Sequence, residues 1–342
     1  MNAPINARSG LLAGGNWIVD KLKVIDVFPQ QDALANILEE STGNGGSPFN
    51  ILIDLAKLGA KFPLAGVGRI GADADGEWIR EECATWKVNH SQLQVHAGAP
   101  TSHTDVMTVR DTGRRTFFHQ RGANAHLVPE DFAFGSSKAR IFHLGYLLLL
   151  DALDQPDPEF GTVAARVLAQ AKKAGCQTSI DVVSEDSDRF AKVVLPALPY
   201  VDFCILNEFE IERTTGVPTR PGGELSLQAV RQAARALLEK GVQAWVIVHF
   251  PEGAYALGKN GVECRQGSIH LPQDQIVGTV GAGDAFAAGV LWGLHDELPI
   301  EEALRYGVCA AAACLQGAGT SDGVRALEEC LAQGEKFGFR EI

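Results

Sequence analysis

The sequence predicts an α/β fold: a doubly wound, mostly parallel sheet flanked by helices, with a small β lid. Three observations lead there. Short apolar, β-rich runs alternate with amphipathic runs of helical length, the pattern of parallel strands joined by crossover helices. After Asp274 the alternation gives way to three helical runs in a row. Two stretches, about 20–43 and 95–121, read instead as short extended segments.

In chain order, strands are predicted at 62–67, 140–147, 177–182, 203–206 and 244–249. Helices are predicted at 48–58, 73–85, 161–174 and 227–239, the last stopped by Gly241. Beyond Asp274, helices begin near Ala282, Ile300 and Gly323, separated by short Gly or Pro breaks. Within the second extended stretch, 104–110 and 115–120 flank Asp111-Thr112-Gly113 and form a hairpin candidate. The two stretches together would build the lid, inserted in a single domain over residues 1–342. No repeat, low-complexity tract or Pro/Ser-rich linker divides the chain.

Composition narrows the function classes. Thirty basic against 42 acidic side chains give a net charge of −12, and no local basic patch offsets it. Nucleic-acid and anionic-membrane partners are therefore not expected. The seven cysteines are scattered, odd in number and never form Cys-x-x-Cys, which fits reduced thiols in a cytoplasm. The start of the chain lacks a basic segment followed by an apolar core, and the longest apolar run, 144–150, is too short to span a bilayer. A soluble, cytoplasmic protein is expected, in which the Asn89-His90-Ser91 sequon has no route to glycosylation. The nine histidines form no His-Glu-x-x-His and no Cys/His cluster, so zinc has no ligand set.

The densest chemical signal is Gly278-Thr279-Val280-Gly281-Ala282-Gly283-Asp284-Ala285-Phe286-Ala287-Ala288-Gly289, a glycine-rich turn running into a helix. Successive small residues let backbone N–H groups converge on an anion, and the helix N-terminus adds its positive dipole end. Asp284 in that position stays ionised and can accept a proton from a nearby hydroxyl. The plain structural alternative is a tight loop followed by a helix-start acid.

Thr279-x-Gly281-Ala282-Gly283-Asp284-x-Phe286-x-x-Gly289 resembles the C-terminal signature of the ribokinase-like (PfkB) carbohydrate kinases. Other pieces follow in the family's order. Gly45-Gly46-Ser47-Pro48-Phe49-Asn50 resembles the N-terminal Gly-Gly-x-x-x-Asn signature, followed by Leu58-Gly59 and Gly68-x-x-Gly71-x-Asp73. Asp20 matches the substrate-binding aspartate, Gly122-Ala123-Asn124 the segment after the lid hairpin, and Asn207-Glu208-x-Glu210 the Asn-Glu-x-Glu element.

The resemblance implies a ribokinase-like fold and ATP-dependent phosphorylation of a sugar, sugar-like or nucleoside hydroxyl between core and lid. Asp284 would be the general base, and the amides of Gly281, Ala282 and Gly283 an anion hole. Asp20, Gly45, Gly46 and Asn50 would hold the acceptor, with Asn124 nearby and Arg121 available for an anionic group. Asn207, Gly253, Thr279 and Cys309 would face the nucleotide, and Glu210 would hold Mg2+ through water. In isolation, Asn207 to Glu210 also fits an N-cap followed by first-turn acids. Phe117 and Phe118 fit either substrate contact or a homodimer interface across the lid edge.

The chain also departs from the family pattern. Gly278 stands where an Asp is usual, which counts against activation by a monovalent cation. Phe250-Pro251-Glu252-Gly253 replaces a Gly-x-x-Gly on the nucleotide side, and Cys309 stands where an Asn or His is common near the adenine. Two other motifs compete. Gly66-x-Gly68-x-x-Gly71 matches the dinucleotide fingerprint of a dehydrogenase, but no acidic residue ends a strand around 91–95. Gly253 to Lys259 nearly spells a P-loop, but Asn260 replaces the Mg2+-binding hydroxyl. A nucleoside kinase or a catalytically inactive sugar-binding protein on the same fold are the remaining alternatives.

Overall fold

Neighbouring residues along the central strands enter different cores. Leu11 and Ala13 pack in one and Leu12 in the other; Phe203 and Ile205 separate likewise from Cys204 and Leu206. Side chains alternate across a strand, so a strand covered on both faces has to be apolar throughout. That requirement produces the continuous apolar runs in the sequence. The computed structural model that displays this packing describes residues 8–342.

The chain opens with β1 (Leu11–Gly15), β2 (Ile18–Ile25), β3 (Ile37–Gly45), α1 (Ser47–Leu58), β4 (Leu64–Ile70), α2 (Ala74–Thr85) and β5 (Asn89–Val95). It continues through β6 (Ser102–Val109), β7 (Arg115–Gln120), β8 (Ile141–Leu147), the two-residue β9 (Pro156–Asp157) and β10 (Gly161–Thr162), and α3 (Val163–Lys173). Then come β11 (Gln177–Val182), α4 (Phe190–Val194), β12 (Phe203–Asn207), α5 (Glu208–Thr215), α6 (Leu227–Glu239), β13 (Trp245–Phe250), β14 (Gly253–Gly258) and β15 (Glu263–Gly267). Three helices follow: α7 (Ala282–His295), α8 (Ile300–Cys314) and α9 (Leu327–Phe337).

The main sheet has the order β15-β14-β13-β12-β11-β8-β1-β4-β5. From β13 to β5 its strands are parallel, and β14 alone is reversed, pairing antiparallel with both β13 and β15. This is the doubly wound, mostly parallel sheet that the alternation predicts. The caps follow local chemistry: Asp73, Thr162 and Ser226 each accept a backbone N–H of the first turn of α2, α3 and α6.

A second sheet, in the order β3-β2-β6-β7, leaves the main body directly after β1. Its pivot is Trp17, fully buried, whose Nε1 donates to the Val67 carbonyl at 2.9 Å. Trp17 also accounts for part of the dinucleotide-like motif. A Cβ at Gly66 or Gly68 would collide with its ring, so these glycines serve packing.

The last helix starts later than Gly323, at Leu327. A Cβ at Gly323 would collide with the Ala313 carbonyl, and residues 317–323 form bends and turns, with Thr320 against Gly281 at the start of α7. Lys57 of α1 ties that segment down by donating to the Ser321 carbonyl at 2.7 Å. Among the described residues, no helix is long and apolar enough to cross a membrane.

Candidate active site

Tyr146, Asp181, Asn207 and His249 stand at or near the carboxyl ends of β8, β11, β12 and β13, which are neighbours in the sheet. All four line one cavity of about 460 Å³. Ligands of open α/β sheets collect at this edge, because the strand ends point polar groups out of an otherwise apolar layer.

The N-terminus of α7 enters the same cavity. Gly281 caps it with φ 82°, a left-handed conformation that favours glycine, and a Cβ there would collide with the Thr320 carbonyl. The first-turn amides at 282–284 have no intrahelical acceptor and remain free to bind an anion. Asp284 is almost fully buried. Its Oδ2 accepts from Asn50 Nδ2 at 2.7 Å, and Tyr146 Oη donates to the carboxylate at 2.8 and 2.7 Å. Burial, then the charge of Asp181, pushes Asp284 up to about 6, while the bonds from Asn50 and Tyr146 hold it down.

The lid sheet closes the cavity with one face. Ile18 and Asp20 of β2, Thr104 of β6, and Phe117 and His119 of β7 all line it, as the period of two demands for a single face. Phe118 projects to the opposite face and is half exposed. Asp20 is pushed up to about 7 by burial and by Asp284, against a hydrogen bond from Thr104. A Cβ at Gly45 would collide with the Asp20 carboxylate, and Gly46, at φ 81°, caps α1 where a Cβ would meet the Asn16 carbonyl. Asn50 is aimed at Asp284 by Asn44, whose Nδ2 donates to Asn50 Oδ1 at 2.7 Å.

A second cavity of about 480 Å³ adjoins the first and shares Asn207, His249 and Gly283 with it. Its walls are mainly apolar, with Ile269, Leu271, Val308 and Leu315 among them, and Gly253 and Thr279 also line it. Such a slot suits a flat aromatic base. Asn207 and Glu210 form a reciprocal capping box, Asn207 N donating to Glu210 Oε2 and Glu210 N to Asn207 Oδ1, both at 2.8 Å. Ser184 Oγ donates to Glu210 Oε1 at 2.7 Å, and burial pushes Glu210 up to about 8. Among the described residues no group of three or more His, Cys, Asp or Glu could cage a metal. Glu210 and Asp181, whose Oδ1 is buried without a hydrogen-bond partner, form a sparse oxygen set on one cavity wall. That set fits Mg2+ keeping much of its water shell.

Four expected site residues line neither cavity, Gly45 standing behind the Asp20 carboxylate. Arg121 is not among the cavity's lining residues and pairs with Asp151 at 3.3 Å. Asn124 is buried and uses both ends of its amide on the Trp17 backbone, accepting from N at 3.2 Å and donating to O at 3.0 Å. Cys309 is fully buried, its thiol pushed up to about 12 by burial, and Val308, Ala311 and Ala312 line the second cavity instead. Sequence reasoning in turn passed over Tyr146, Asp181 and the network beneath them. Ser47 Oγ donates to Asp181 Oδ2 at 2.5 Å and lies 2.9 Å from His143 Nε2, which fixes the carboxylate. The available signal was a polar residue near the carboxyl end of each strand.

The family model for pfkB family carbohydrate kinases matches residues 18–327. A ribokinase of Arabidopsis thaliana is 29% identical over 308 residues, 90% of this chain and 76% of the relative. A fructokinase of Klebsiella pneumoniae is 29% identical over 282 residues, 77% of this chain and 82% of the relative. The structure of Arabidopsis thaliana ribokinase complexed with ribose and ATP superposes with a TM-score of 0.77 at 25% identity, covering 97% of this chain and 99% of that one.

Proposed function

Because the chain belongs to the pfkB family of carbohydrate kinases, we propose that it transfers the γ-phosphoryl group of ATP to a hydroxyl of a sugar-like acceptor. The chain is a sugar or nucleoside kinase, a phosphotransferase acting on an alcohol group. The observation that carries the finer reading is the meeting of the two cavities at Gly283, one residue before the buried Asp284.

In this reading the acceptor lies under the lid, held by Asp20, Asn50 and the close backbone at Gly45 and Gly46. Asp284 takes the hydroxyl proton as the oxygen attacks. Its placement near 6 leaves it ionised at neutral pH yet basic enough to accept a proton. The amides of Gly281, Ala282 and Gly283 stabilise charge on the transferring phosphoryl group. The apolar second cavity takes the purine, with Asn207, Gly253 and Thr279 toward the phosphates. Glu210 and Asp181 would hold Mg2+ through its waters, and the ion, when bound, neutralises phosphate charge.

A monovalent cation is not part of the reading. A Cβ at Gly278 would lie 2.8 Å from Arg115 Nη2 and 2.7 Å from the Gly317 carbonyl, so a fixed positive charge already stands beside this loop. The outer lid face, with Phe118 exposed, supports pairing with a second copy, which sedimentation at varied concentration tests. The test of function is ATP consumption across pentoses, hexoses, cyclitols and nucleosides. Turnover of at least one is expected. Absence of turnover, with one of them raising the Tm in the absence of ATP, would favour a binding protein.

A further inference from the structure

A buried ring nitrogen without a protein partner stands at the acceptor-side cavity. His119 faces inward from β7, and its Nε2 is shielded from solvent with no hydrogen bond. Its Nδ1 lies 3.0 Å from Thr104 Oγ1. The strand register explains this contact: Asp20 stands opposite Thr104, and Thr104 opposite His119, in one row across three strands.

The row favours one tautomer. A threonine hydroxyl has a single proton. With that proton directed at the Asp20 carboxylate opposite, the Thr104 oxygen accepts from Nδ1–H of His119. The lone pair is then left on Nε2. Burial, followed by the charge of Arg121, lowers the ring to about 4 and keeps it neutral at physiological pH. A buried, unpartnered acceptor atom on a residue of the cavity wall asks for a donor from the ligand.

The remaining lining sets the ligand's charge. Asp20 and Asp284 stand on the acceptor side of this cavity, and among the described residues no Lys or Arg lines it. An anionic group under the lid would face these two carboxylates with no protein cation to offset them. Phe117, next to His119 on the same lid face, offers an apolar wall to C–H groups.

We propose that His119 is a specificity residue of the acceptor site, its Nε2 accepting a hydrogen bond from one hydroxyl of an uncharged polyhydroxylated acceptor, while sugar acids and sugar phosphates are rejected. The proposal rests on the kinase reading above and adds the acceptor's charge and the residue that reads it.

The test compares wild type, His119→Phe and His119→Gln. The probes are pentoses, hexoses, cyclitols and nucleosides, their monodeoxy analogues, D-gluconate and fructose 6-phosphate. ATP-dependent turnover and ligand-induced Tm shift are both read. Wild type is expected to prefer an uncharged acceptor over both anions, and over one of its monodeoxy analogues, by at least about tenfold in kcat/KM. His119→Phe is expected to raise KM for that acceptor by about tenfold with little change in kcat, and to lose the discrimination against that one analogue. His119→Gln, which keeps an acceptor atom, is expected to recover part of it. Wild-type KM and discrimination in His119→Phe would overturn the proposal, as would preference for an anion or failure of every uncharged probe to bind. If probes bind without being phosphorylated, the kinase reading fails on its own. The Tm shifts then decide for His119 if they shrink in His119→Phe, and against it if they do not.

Discussion

The hydroxyl of Tyr146 donates to the carboxylate of Asp284, 2.8 Å from Oδ1 and 2.7 Å from Oδ2, across 138 positions of sequence. One partner stands on β8 and the other in the first turn of α7. The bond favours the ionised form of a carboxylate that burial and Asp181 otherwise push upward.

Removing that bond has a signed consequence. Asp284 titrates near 6, so activity is expected to fall as pH drops through about 6. In Tyr146→Phe the ionised form loses a donor, and the acid limb of kcat/KM moves to higher pH. Turnover at neutral pH falls roughly tenfold, the scale of a hydrogen bond to a charged group. A pH–rate profile whose acid limb stays in place would exclude this role.

Asn124 and Asn50 separate structural from functional amides. Asn124→Ala leaves the Trp17 N–H and carbonyl unpaired in the interior, at a cost of about 1–3 kcal/mol. Denaturant unfolding is expected to show that loss while the acceptor KM stays near wild type. Asn50→Ala is expected to do the reverse, raising KM and lowering kcat. Equal effects of the two on KM would contradict the assignment.

Asp54 of α1 is fully buried with neither oxygen hydrogen-bonded, and burial pushes its carboxyl well above the usual range, against Ser321 and Lys57. A folded-state value above the unfolded one means that the stability is present at low pH and lost as pH rises through the folded value. Asp54→Asn removes the charge at nearly constant volume. Its Tm relative to wild type is expected to be higher at pH 8 than at pH 5, and a pH-independent difference would show that Asp54 does not titrate as described.

The cation reading has a direct check. Initial rates in potassium, sodium and choline chloride at equal ionic strength are expected to coincide, because Arg115 supplies a fixed charge beside Gly278. Activation by potassium alone would contradict it.

Much of the fold was legible because burial on both sheet faces forces apolar strands, as at 203–206. The turn at Gly281 to Asp284 was legible because only small residues can expose several amides at a helix start. Tyr146 and Asp181 were hidden for the opposite reason. Each is one of several polar residues on its strand, beside His143 on β8 or Thr178 and Ser179 on β11, and its meaning appears only once β8 and β11 lie side by side. Arg121 misled because a charge looks available until its partner, Asp151, is brought to it by the fold. Cys309 misled by one position. The residues at 308, 311, 312 and 315 share a helix face toward the second cavity, a spacing readable from the sequence.

Single-turnover phosphoryl transfer by Asp284→Asn, with ATP affinity measured in parallel, tests the central claim most directly. The rate is expected to fall by at least about a hundredfold, the lower range for loss of a general base, while ATP binding stays close to wild type. Transfer at the wild-type rate would contradict the account.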